Sequence, residues 1–129
     1  VAWSDGYVGF PYREGGRGHD GIDCLGLFLL VQREQFGRAL TDPGCTAPEA
    51  VRRRVVEGAR QDWAEIEPGA AQAGDALLFR IEGYPLHIAC ALNPVFMLHA
   101  ERGIGSVVEC WTGIAWRNRL EGAFRYVGE

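Results

Sequence analysis

The sequence predicts an α+β domain in which N-terminal helices pack on a C-terminal antiparallel sheet of about five strands. Three observations carry that prediction. An apolar pattern of helical period begins at Cys24, with Leu27, Phe28 and Val31 following at i+3, i+4 and i+7. Beyond Asp75 the period falls to 2, in short segments separated by Gly, Asn and Pro, and helices followed by strands point to α+β. The chain has 129 residues, 47% hydrophobic and 23% charged, which suits a single domain over 1–129 with its own core.

Taken in order, residues 1–12 form a short, weakly amphipathic opening that ends at Gly9 and Pro11. Tyr12 enters a loop, Arg13 to Gly21, whose four glycines let it lie close to the start of the next element. That element is a helix from about Asp23 to Phe36, stopped by Gly37 as a C′ residue. Thr41 to Pro48 reads as an irregular connection, and Pro48 to about Gln61 as a polar helix whose Arg52, Arg53 and Arg54 form a solvated face. Trp63 and Ile66 anchor the return to the core, and Pro68-Gly69 and Gly74-Asp75 mark turns. The strands expected are Ala76 to Ile81, Leu86 to Leu92, Val95 to Ala100, Ser106 to Trp111 and Ala123 to Val127.

The net charge of −4 and pI near 5.4 give no electrostatic reason to expect nucleic acid or an anionic membrane as partner. No run of about 18 apolar residues offers membrane insertion, and no signal-peptide pattern is visible, so synthesis in the cytoplasm is expected. All 13 basic residues are Arg, which reads as coding bias and carries no function. Cys24, Cys45, Cys90 and Cys110 lack the spacing of a disulfide framework, so reduced thiols are expected.

The chemistry concentrates at Cys24 and two histidines. In the first turn of a helix, Cys24 faces unpaired backbone N–H groups and the positive end of the macrodipole, which favour thiolate. A plain alternative is a small core residue that opens a helix. His87 shares its strand face with Ala89 and Ala91, small residues that leave room for a helix to bring a sulfur to the imidazole. His99 lies twelve residues on. The two rings stand opposite each other if the pairing is centred on Asn93, which requires an odd-length loop; a two-residue Asn93-Pro94 turn puts them on opposite faces. In the favourable register His87 accepts the proton of Cys24, and His99 holds the far nitrogen of His87, fixing its tautomer. Taken singly, each histidine also reads as a hydrogen-bonded structural residue. Zinc is not expected: His87 and Cys90 point to opposite faces, and no Cys-x-x-Cys or His-x-x-x-His pair exists. His19 reads as an exposed loop residue.

Read together, these residues resemble a known family. Gly9-Phe10-Pro11-Tyr12, Gly15-Gly16 and Gly21-Ile22-Asp23-Cys24-Leu25-Gly26-Leu27 are similar to the opening motif of the NlpC/P60 cysteine peptidases. Ala73-Gly74-Asp75-Ala76-Leu77-Leu78-Phe79 resembles that family's P-G-D-L-x-F segment, and Leu86-His87-Ile88-Ala89 with Met97-Leu98-His99-Ala100 its paired histidine strands. The resemblance implies a papain-like core with Cys24 as nucleophile, His87 as base and His99 as the polar third residue. It implies that Tyr12 lies beside the sulfur, positioning substrate or stabilising the oxyanion. It also implies that Asp23 faces the substrate cleft, where it can pair with a free peptide amine; a helix N-cap is the other reading of that residue. Leu25 and Ala89 depart from the family pattern, which has a small residue and a glycine there.

Leu25-Gly26-Leu27, the helix end Arg33 to Gly37 and the closing Leu120 to Tyr126 look most like the phage-tail and gene-transfer-agent branch. The activity implied is a cysteine endopeptidase that cuts peptidoglycan stem peptides between γ-D-glutamate and the following diamino acid, with no cofactor. The implied partners are those stem peptides and phage tail-tip proteins, and the implied location is a virion tail, or the cell envelope after release. A catalytically idle tail-tip component, and an amidase or acyltransferase using the same dyad, are the alternatives.

Overall fold

The computed structural model describes residues 2–46, 60–81 and 84–128. A 3-10 turn, Ala2–Tyr7, opens the chain. A ribbon of β1 (Arg17–Gly18) and β2 (Gly21–Ile22) follows, then helix α1 (Cys24–Phe36). Strands β3 (Trp63–Ile66), β4 (Ala76–Ile81), β5 (Tyr84–Ala91), β6 (Phe96–Glu101), β7 (Gly105–Cys110) and β8 (Leu120–Tyr126) complete the order. They form one sheet in the order β3-β8-β4-β5-β6-β7, antiparallel at every pairing.

The sheet therefore has six strands where the sequence suggested five, and the two-stranded ribbon is additional. The added strand, β3, is short and lies at the sheet edge, pairing only with β8, with Trp63 opposite Tyr126 and Ile66 opposite Ala123. With Ala64 and Glu65 between its anchors, β3 carries too few apolar residues to show a period of 2. The ribbon lies in the glycine loop, where Gly18 opposite Gly21 and the His19-Asp20 turn leave almost no side chain to signal a strand. The polar helix expected over residues 48–61 and its arginine run lie outside the described residues, except for a 3-10 turn at Arg60–Asp62.

Helix α1 begins where local chemistry demands. Asp23 is extended and its Oδ1 accepts from the Gly26 N–H at 2.8 Å; at the other end Gly37 adopts φ 65° as its N–H reaches the Gln32 carbonyl. The first two turns are buried around nearly the whole circumference, more than the single stripe expected. The glycine loop covers the outer side. A Cβ on Gly26 would land on the carbonyl oxygen of Gly16, and one on Gly16 on the carbonyl oxygen of Gly21, so this contact exists only because both positions lack side chains.

The sheet buries both faces. On one, Ile88, Cys90, Leu98 and Ala100 pack with Leu27, Phe28 and Val31 of α1. On the other, Leu77, Phe79, Ala89, Ala91 and Met97 pack beneath Trp111 and Trp116. Each fully buried Leu or Phe here stabilises the fold by about 1.5–3 kcal/mol. Helix α1 thus covers the Ile88 face and not the face of Ala89 and Ala91, which corrects the sequence expectation. Those two small residues make room for the tryptophans instead.

Candidate active site

Asn93 shapes the β5–β6 hairpin that carries both histidines. Its Oδ1 accepts from the backbone N–H groups of Val95 and Phe96, each at 2.8 Å, and the Leu92 N–H donates to the Phe96 carbonyl. Cys90 lies opposite Leu98 and Ala91 opposite Met97, so the hairpin is centred on Pro94, one residue later than the Asn93 centre inferred from sequence. The loop, Asn93-Pro94-Val95, has odd length, and both imidazoles stay on one face, offset along it and not directly opposed. His87 Nε2 and His99 Nδ1 are 2.8 Å apart.

This pair sits under the second core. The Trp116 ring stacks on His87 at 5.3 Å and 23°, and meets His99 edge-on at 5.1 Å, while Phe79 lies 6.2 Å from His87 and meets the Trp116 ring edge-on at 5.1 Å. His99 is in turn engaged beyond the histidine pair: its Nε2 lies 2.8 Å from Glu109 Oε1 on β7. The indole N–H of Trp116 donates to Glu109 Oε2 at 3.0 Å. Neither Glu109 nor Trp116 was picked out from sequence.

Cys24 lies on the helix side and is 7% exposed. Its sulfur accepts from the backbone N–H of Ile88, the residue after His87, so the thiol stands at the peptide that joins the two faces of β5. Burial pushes the thiol up to about 12, against the lowering effect of that N–H and the N–H groups of the helix start; the negative charge of Asp23 adds to the rise. The expectation of a resting thiolate is therefore corrected: in a site this dry, desolvation outweighs the macrodipole. Burial, and then His99, lower His87 to about 3, and burial likewise lowers His99 despite Glu109. At rest the three groups are a protonated thiol on the helix side of β5 and two neutral imidazoles on its other face.

A dependence of stability on pH follows. The folded-state pKa of His87 lies below its unfolded value, so the unfolded chain binds the proton more readily between about 6.5 and 3. The stability of the neutral buried ring is present in full above pH 6.5 and is lost as pH falls through that window. The raised thiol acts in the opposite sense above pH 9. Thermal melts should be level from pH 7 to 9 and fall between pH 6.5 and 5, before carboxylates begin to titrate. A flat melting temperature from pH 7 to 5 would contradict the buried neutral pair.

Tyr12 forms a lone parallel bridge with Ile22, and burial, then the charges of Cys24 and Asp23, raise its hydroxyl. Asp23 is 1% exposed, and besides capping Gly26 it accepts from the Gly15 N–H at 2.9 Å and from Arg17 Nη1 at 3.0 Å. All the contacts seen for its carboxylate are thus structural. His19 stacks on Phe10 at 4.6 Å. Among the described residues one group could approach a cation, His99, Glu101 and Glu109, whose ligand atoms lie within 4.8 Å of one another. Two of its three members are already bonded to each other.

Comparison with known proteins agrees with this architecture. The model of the NlpC/P60 family matches residues 9–125. The chain is 26% identical over 119 residues to the murein DD-endopeptidase MepS/murein LD-carboxypeptidase of Escherichia coli K12, covering 92% of this chain and 57% of that protein. It is 30% identical over 100 residues to protein P54 of Enterococcus faecium, covering 78% of this chain and 17% of that one. The chain therefore spans little more than half of the first of these relatives and a sixth of the second. Among solved structures, the NlpC/p60 domain of the peptidoglycan hydrolase SagA superposes with a TM-score of 0.67 at 27% identity, covering 97% of this chain and 94% of that domain. An NLP/P60-family protein from Staphylococcus aureus, described as similar to lipoprotein, superposes with a TM-score of 0.69 at 29% identity, covering 96% of this chain and 39% of its own.

Proposed function

Because the chain belongs to the NlpC/P60 family, we propose that it is a cysteine peptidase that hydrolyses an amide in peptidoglycan stem peptides. The observation that carries this reading is the His87–His99 contact at 2.8 Å on the strand whose Ile88 N–H meets the Cys24 sulfur. In this reading His87 has spent Nε2 on His99, so Nδ1 is the nitrogen left to take the thiol proton. The sulfur attacks the amide carbonyl, His87 returns the proton to the leaving amine, and water then cleaves the thioester.

The dry site sets how this chemistry must run. Proton transfer from Cys24 to His87 creates two charges where water is excluded, so the ion pair forms together with attack and is not stored beforehand. The Ile88 N–H and the Tyr12 hydroxyl are donors available to the charge that develops on sulfur and on the carbonyl oxygen. For Asp23, the three hydrogen bonds support a role in ordering the cleft wall through Gly15 and Arg17, and any contact with a peptide amine would come at the expense of one of them.

The bond between γ-D-glutamate and the following diamino acid is the reading we favour, with a phage tail-tip protein as the carrier of the domain to the wall. No helix among the described residues is long and apolar enough to cross a membrane. Digesting purified peptidoglycan and weighing the fragments tests the proposal. New amino and carboxyl ends at that bond support it, cleavage elsewhere moves the bond, and intact stem peptides remove it.

The buried thiol and weakened base also favour a second reading, an idle domain retained for assembly. Alkylation separates the two only if Cys110 is first removed. That residue is exposed, and the Thr112 hydroxyl and nearby backbone N–H groups lower its thiol, so it competes for any thiol probe. In a Cys110→Ser background, an active site labels at Cys24 ahead of Cys45 and Cys90.

A further inference from the structure

The chain of hydrogen bonds does not stop at His99. We propose that Glu109 is a positioning residue of this site, which acts through His99 to hold His87 in the tautomer whose unprotonated Nδ1 can accept the thiol proton of Cys24. This rests on the reading of His87 as base given above.

The inference runs from donors and acceptors alone. A carboxylate accepts and cannot donate, and an indole donates and cannot accept. Trp116 Nε1–H occupies one oxygen of Glu109 at 3.0 Å, so the other oxygen, 2.8 Å from His99 Nε2, requires that this nitrogen carry its hydrogen. A neutral imidazole has only one N–H, so His99 Nδ1 is an acceptor. At 2.8 Å it must receive a hydrogen from His87 Nε2, which leaves His87 Nδ1 with its lone pair.

The same chain handles the charge formed in the reaction. When the thiol proton arrives on His87 Nδ1, the imidazolium donates its Nε2–H to His99 Nδ1. If that proton crosses, His99 becomes the cation and lies against the Glu109 carboxylate, and the return transfer restores it before the amine leaves. A neutral third residue thereby gains the help of a carboxylate one ring further away. Glu101, whose carboxylate also lies near His99, adds negative potential but makes no bond that fixes the tautomer.

Glu109→Gln tests the inference because it changes hydrogen-bond direction at nearly constant shape. The amide oxygen is claimed by the Trp116 N–H, and its NH₂ then faces His99 Nε2, which must turn from donor to acceptor. His99 then donates from Nδ1 to His87 Nε2, and the proton of His87 moves to Nδ1, where the base is needed. Long-range ¹⁵N–¹H NMR of labelled histidines should show both rings protonated at Nε2 in the wild type, and both at Nδ1 in Glu109→Gln.

Activity should follow the tautomers. In Glu109→Gln, kcat should fall by about 100-fold or more with KM within about twofold, and Glu109→Asp should recover part of it. Trp116→Phe removes the indole donor but leaves the carboxylate, so the wild-type tautomers should persist and guard against a folding artefact. Nδ1–H tautomers in the wild type, or unchanged tautomers in Glu109→Gln, would overturn the proposal. A wild type with the expected tautomers but no action on peptidoglycan would count against the peptidase reading and leave the role of Glu109 in the histidine pair supported.

Discussion

Cys24→Ser is expected to leave the domain folded and to lower the release of peptidoglycan fragments by on the order of 10⁴-fold or more. The two parts of that expectation come from different physics. Serine is slightly smaller than cysteine and its hydroxyl can accept from the same Ile88 N–H, so melting should shift by no more than about 1 kcal/mol in stability. The chemistry does not survive the exchange. Burial has made His87 a weak base, with its pKa lowered to about 3, and a weak base can serve only a group that is itself acidic and nucleophilic. A thiol meets that condition even when desolvation raises it; a hydroxyl, several units less acidic, does not. Fragment release measured by mass spectrometry beside a melting curve reads both quantities. A folded serine variant that still releases fragments at a tenth of the wild-type rate would remove Cys24 as the nucleophile.

That argument depends on a geometry only partly legible in the sequence. Alternation in β5 showed that His87 and Ile88 point to opposite faces, and the odd loop at Asn93-Pro94-Val95 kept the two histidines together. Which face the helix would cover was not legible, because both faces of β5 are apolar: Ile88 and Cys90 on one, Ala89 and Ala91 on the other. Side-chain size misled there, since the space beside the alanines receives Trp111 and Trp116. Glu109 was invisible for another reason. It is one acid in a short strand, and its meeting with His99 depends on the β6–β7 register, in which Met97 faces Glu109 and His99 faces Val107. Trp116 reaches His87 from a loop that no periodicity predicts. The thiol misread was a matter of magnitude: helix position was visible in the sequence, but the 7% exposure that lets desolvation win was not.

Asp23→Ala should cost about 2–4 kcal/mol of stability, more than a helix cap alone. A lost cap accounts for about 0.5–2 kcal/mol of it. The rest comes from what the carboxylate joins. It ties the Gly15 N–H of the glycine loop to the start of α1, and it pairs with Arg17, whose side chain is 24% exposed and keeps Asp42 at 2.9 Å as a second partner. Because Arg17 is not stranded by the substitution, the cost stays below that of orphaning a buried charge. Asp23→Asn separates the contributions: its oxygen can still cap Gly26, but its NH₂ confronts the Gly15 N–H, so it should lose about 1–2 kcal/mol. Kinetics on the asparagine variant then distinguish the two readings of this residue. If Asp23 serves by ordering the loop beside Cys24, kcat should fall in step with loss of order while KM stays close to wild type. A KM raised tenfold in a variant that melts like the wild type would show instead that the carboxylate meets the peptide amine directly.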